Sequence, residues 1–219
     1  MLRALCRSVS SILLAGLLSG PSSFAFDTPL SDTAVRQAYF LGQRNDEKTV
    51  EFLEKYRRHL SAPQAGPWVS TVEFLTPYAE TIELSRQRSF GYSAQSATKD
   101  YRKRGNLVRV TITLEFTTTY GQFIEQEINQ RSGPTRGLKS RSPNFWQDFT
   151  YRLVDRDAVV EPLEKHGHAT YRQRAEMTGA SILLIYDAQR ISSLADPEVV
   201  VDTPDGQHIV VPFDLDNLR

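Results

Sequence analysis

Between residues 31 and 104, apolar side chains recur at helical spacing behind Ser, Asp and Thr caps. At Leu107 the period drops to two, and near the end a Thr203-Pro204-Asp205-Gly206 turn separates two apolar runs. These three observations predict an α+β chain, with a helical N-terminal region over 26–105 followed by an antiparallel β-sandwich over 106–219.

The helical elements follow in order. Ser31 or Asp32 caps a helix running to about Gln43, with Val35, Ala38, Tyr39 and Leu41 on its apolar stripe. Asp46 caps a second helix whose face carries Val50, Leu53, Tyr56 and Leu60. Its last turn holds Arg57 and Arg58, where cations complement the carbonyl end of the dipole. So short a connection between the two predicts a helical hairpin. Residues 61–67 read as a loop, and 69–75 read equally as a strand or an extended lead-in. Thr76-Pro77 then opens a helix to about Arg88, because Thr caps and Pro is tolerated at the first helical position. Ser93 caps a further helix through Ala97 and Tyr101 that Gly105 ends.

From Leu107 onward Val108, Val110, Ile112, Leu114 and Phe116 alternate with polar residues, the pattern of a half-buried strand. Phe149, Tyr151 and Leu153 repeat it, and residues 158–163 pair back across Asp155-Arg156-Asp157. Residues 182–186 are continuously apolar, as a central strand requires, and strands 198–202 and 207–213 flank the final turn. At least six short strands without alternating helices suggest a sandwich, and an immunoglobulin-like one on strand count and pattern, although the Cys, Trp, Cys landmarks are absent. This strand run, and especially the tail from Tyr186 through Pro204-Asp205-Gly206-Gln207 to Phe213-Asp214-Leu215, resembles an uncharacterised family of predicted secreted bacterial proteins. The resemblance implies no particular function.

Residues 1–25 read as a cleavable signal peptide: Arg3 and Arg7 form a basic start, residues 9–18 a short apolar core, and Ser23-Phe24-Ala25 offers small residues at −3 and −1. The apolar run stops at Gly20-Pro21, short of the roughly 20 residues that a membrane span needs, so no transmembrane anchor is expected after cleavage. The only cysteine, Cys6, lies inside this segment. A mature chain without disulfides suits a bacterial envelope, periplasmic or secreted. The 26 basic residues balance the 26 acidic ones, which gives nucleic acid no global attraction. Segment 26–143 carries 17 basic and 13 acidic residues and 144–219 carries 7 and 13, an asymmetry that solvated faces accommodate.

Candidate chemistry is sparse. His166-Gly167-His168, with Glu161 and Glu164 upstream, is the one cluster with metal-ligating content; two imidazoles on one strand face, with Glu164 as a further candidate, suit zinc, but no third ligand from elsewhere in the chain can be read, and an exposed loop is the alternative. No G-x-S-x-G turn or phosphate-cradling glycine loop occurs, and no cofactor is expected. Two basic groups stand out. Arg102, Lys103 and Arg104 lie at a helix end with Arg86 and Arg88 nearby, and Arg131, Arg136, Lys139 and Arg141 fall in a Gly, Ser and Pro-containing stretch read as a long functional loop over 131–143. Trp146, beside Asn144 and Phe145, either contacts a partner or closes the end of the core. Asp202, Asp205, Asp214 and Asp216 lack the tight spacing of a calcium loop.

The sequence is therefore read as a non-catalytic exported interaction or accessory module with an envelope or secreted protein as partner, its ligand surface formed by Arg131, Arg136, Lys139, Arg141 and Trp146. The alternatives are a metal-dependent hydrolase using His166 and His168, and a binder of anionic envelope polymer through the basic segment 131–141.

Overall fold

A computed structural model describes residue 26 and residues 28–88, 90–130, 133–192 and 196–219; the expected signal peptide and Arg131 lie outside the described residues. Among the described residues four helices form where the caps place them. In α1 (Asp32–Arg44) the Ser31 side chain accepts from the Ala34 amide at 3.2 Å, and in α2 (Glu47–Glu54) Asp46 accepts from Thr49 at 3.0 Å. Hydrogen bonds from Arg44 and then Thr49 hold the Asp46 carboxyl down at about 2. Thr76 caps α3 (Pro77–Gln87) and Ser93 caps α4 (Ala94–Arg104) in the same way, and Gly105 ends the latter at positive φ. Helix α1 lies on α3 and α4 through its buried Ala34, Val35 and Ala38, and Gln43 Nε2 donates to Ser85 O at 2.5 Å. No described helix is long and apolar enough to cross a membrane.

The segment expected to be helical also supplies two strands. β1 (Arg57–His59) replaces the expected last turn of α2, and β2 (Trp68–Leu75) resolves the ambiguous stretch as strand. Two interactions overrule the helical pattern at Arg57: Tyr56 is fully buried, and Arg57 Nη2 donates to Glu73 Oε1 at 2.6 Å across the β1–β2 pair. The remaining strands are β3 (Leu107–Glu115), β4 (Phe123–Gln130), β5 (Gly133–Ser140), β6 (Thr150–Asp155), β7 (Ala158–Val160), β8 (Glu164–Arg172), β9 (Glu176–Asp187), β10 (Glu198–Asp202) and β11 (His208–Pro212).

Among the described residues all strand pairs are antiparallel. Five strands join in the order β1-β2-β3-β9-β8, four in the order β11-β10-β6-β7, and β4 and β5 form a separate pair. The period-two reading of β3 holds: Val108, Val110, Ile112 and Leu114 are buried, and Phe116, one residue past the strand, is half-buried. Strand β9 is central, flanked by β3 and β8, as its apolar run requires. Residues of both larger sheets belong to one hydrophobic core. Phe74 of β2 stacks on Phe213 beside β11 at 5.1 Å, and Lys165 of β8 lies 4.8 Å from the Tyr151 ring of β6.

Candidate functional site

The expected loop over 131–143 is instead a strand over 133–140, and residues 141–143 are irregular. β5 pairs with β4 over eight residue pairs, from Phe123↔Ser140 to Gln130↔Gly133, and forms a two-stranded arm attached to neither larger sheet. Cross-strand pairing supplies the order that Gly133, Pro134, Gly137 and Ser140 do not announce locally. On the arm Phe123 is 57% exposed and Leu138 72%, while Arg136 and Lys139 are in solvent and Arg136 approaches Glu125 at 4.0 Å. The large apolar residues and the cations thus share one projecting ribbon.

Arg141 anchors its root. The Arg141 guanidinium lies 3.7 Å from the centre of the Tyr120 ring and about 6 Å from Phe116 and Phe145, its Nε donates to Gly121 O at 2.9 Å, and its amide donates to Gln122 O at 2.7 Å. A cation over an aromatic face gains on the order of 1 kcal/mol. Arg141 is therefore a positioning residue inside the aromatic cluster and not a free cation. The neighbouring turn is tied down as well: Thr117 Oγ1 donates to Gly66 O at 2.7 Å and Gly66 N to Thr119 Oγ1 at 2.9 Å. Beside this root a trough of about 630 Å³ is lined by Thr113, Glu115 and Gln122 on one side and Tyr171, Arg172 and Glu176 on the other.

Trp146 belongs to the core. It is 7% exposed in a 3-10 turn, and its ring lies under Gly167, where an added Cβ would come within 2.6 Å of it. Only a glycine lets β8 pass over that ring, so the glycine between His166 and His168 serves packing and not a loop. His166 and His168 occupy alternate positions of β8, opposite Leu183 and Ser181, and share a face with Glu164. His166 Nε2 is 3.0 Å from Glu164 Oε2, in solvent. Among the described residues no group of three or more His, Cys, Asp or Glu is arranged to hold a metal ion.

The helix-end arginines are each matched to an acid: Arg102 to Asp32 at 2.7 Å, Arg88 to Asp100 at 2.5 Å, Arg104 to Glu80 at 3.0 Å and Arg86 to Glu83 at 3.2 Å. Charge-neutral pairs of this kind leave little field for an anionic polymer. Of the C-terminal carboxylates, Asp202 lies between His208 and Arg152, both at 2.6 Å, and these partners, His208 foremost, hold it below the ordinary carboxylate range. Asp205 is bound by Thr203 and Gln207, and Asp214 caps the amides of Asp216 and Asn217. No family model, curated protein or solved structure matches the chain.

Proposed function

We propose that this chain is a non-catalytic exported interaction module whose β4–β5 arm engages an envelope or secreted protein. The observation that carries the reading is an arm whose two strands, among the described residues, pair only with each other and hold Phe123 and Leu138 in solvent. An isolated two-stranded ribbon is at best marginally stable in water, and apolar anchors rimmed by arginine and lysine match the make-up of protein interfaces. The cage around Arg141 fixes the root, which lowers the ordering cost of docking. Glu125 beside Arg136 moderates the arm's positive charge and favours a protein surface over an anionic polymer. Export rests on the order of basic start, apolar core and small residues ahead of Phe26. For the architecture we propose a sandwich of the two larger sheets, immunoglobulin-like in its layering, supported by the contacts of Phe74 with Phe213 and of Lys165 with Tyr151.

The double variant Phe123→Ser/Leu138→Ser tests the reading. Both side chains are exposed, so circular dichroism and thermal unfolding should match the parent, while affinity for the native partner falls about a hundredfold, as loss of two anchor residues implies. Unchanged partner affinity in a folded double variant would overturn the proposal. His166→Ala/His168→Ala should retain the partner; stoichiometric zinc and a hydrolytic activity, both lost in that variant, would replace the reading with a metal-dependent hydrolase.

A further inference from the structure

The two larger sheets have four edge strands, and three of them are short: β1 and β7 have three residues each, and β11 has five and ends at Pro212. The fourth, β8, has nine residues without proline and pairs on one side only, with β9. A long open edge offers a row of backbone donors and acceptors to another strand. We propose that the free edge of β8 pairs antiparallel with β8 of a second copy of this chain, joining the two five-stranded sheets into one.

The sequence of the strand selects the occupant. An antiparallel pair centred on His168 places Glu164 opposite Arg172 of the second copy, and symmetry forms that pair twice. Sliding by two residues in either direction removes both ion pairs, and a parallel arrangement sets like on like, so charge fixes both the register and the direction. Glu164 and Arg172 are exposed; His166 is the only ion-pair partner of Glu164 among the described residues, and Arg172 has none there.

The inward face agrees. Lys165 is a charged side chain on the inner face of an edge, a feature that ordinarily discourages strand addition. Here its ammonium lies 4.8 Å from the Tyr151 ring and 5.9 Å from the Trp146 ring. The same register brings Tyr171 of the second copy opposite Lys165, and this tyrosine is 53% exposed on an otherwise polar strand end. The lysine then meets a further aromatic face, and the tyrosine gains a cover that the single chain does not give it. Gly167 opposite Ala169 keeps the middle of the junction small enough for close approach. None of these residues belongs to the β4–β5 arm, so the dimer and the partner contact can fail independently.

Charge reversal tests the proposal. Sedimentation equilibrium of the purified protein should show a reversible dimer. Glu164→Arg alone and Arg172→Glu alone should each weaken it by at least about tenfold, since each replaces two attractive pairs with two repulsive ones. The double variant Glu164→Arg/Arg172→Glu should restore the parent affinity. Amide exchange supplies a second measurement that needs no variant, because β8 amides should gain protection as protein concentration rises. A parent that stays monomeric up to roughly millimolar concentration would overturn the proposal, as would a dimer indifferent to both single reversals. Phe123→Ser/Leu138→Ser should leave the dimer intact.

Discussion

Gly179→Ala is expected to cost on the order of 3 kcal/mol of folding stability, more than an ordinary surface change by several-fold. Gly179 lies in β9 opposite Glu115 of β3, and a Cβ built there would fall 1.9 Å from the Leu114 carbonyl oxygen and 2.9 Å from its carbonyl carbon. The obstacle is backbone, so no side-chain rotation relieves it, and the two central strands must separate locally. Next to this contact the β8–β9 register shifts near Thr178, and the Phe116 amide donates to Thr178 O at 2.9 Å. Displacing β9 therefore disturbs the aromatic cluster that includes Phe116 and the root of the arm. Urea unfolding of parent and variant measures the cost. A difference below about 0.5 kcal/mol would show that β3 and β9 do not approach so closely.

Alkaline pH should unfold the protein steeply. Burial raises the hydroxyl of Tyr56 to about 12, against opposing hydrogen bonds from Arg219 and Thr76, and burial also raises those of Tyr151 and Tyr186 strongly. The folded state keeps these protons where the unfolded chain, with tyrosines near 10, has released them. The stabilising effect of the neutral form is therefore fully present below pH 10 and is lost as pH rises through the folded values. Each such tyrosine steepens the loss of stability by on the order of 1 kcal/mol per pH unit, so the three together make the fall steep between about pH 10 and 12. Denaturant unfolding across that range should show the fall, and Tyr56→Phe should reduce the slope by about a third. A flat profile to pH 12 would mean that these rings are not held in the interior.

What the sequence made legible was what is decided locally. The four caps at Ser31, Asp46, Thr76 and Ser93 act within one helical turn, and the alternation along β3 reports a face buried on one side. What it hid was decided by partners distant in the chain. Arg57-Arg58-His59 has no apolar alternation and becomes a strand because β2 offers it an edge; β5, with two glycines and a proline, becomes one because β4 pairs with it. A signal for the arm lies in the aromatic and β-branched Phe123, Ile124 and Ile128 just ahead of Ser132-Gly133-Pro134, a strand-favouring run followed by turn residues. The same limit applies to the site. Arg136 and Lys139 were readable as exposed cations, whereas Arg141 and Trp146 share their residue types with surface contacts and differ only in what folds over them. Phe123, Leu138 and Tyr171 were missed because exposure of an aromatic or leucine side chain is a property of the assembled fold.

Site-specific photo-crosslinking in the native envelope tests the role of the arm most directly. A photoreactive residue is placed in turn at Phe123 and Leu138 on the arm and at Val159 on β7, which is also exposed but lies in the four-stranded sheet. The expected result is one discrete protein adduct shared by positions 123 and 138 and missing from 159. No adduct at 123 or 138 in correctly exported protein, or the same adduct at 159, would contradict the assignment of the arm as the partner contact.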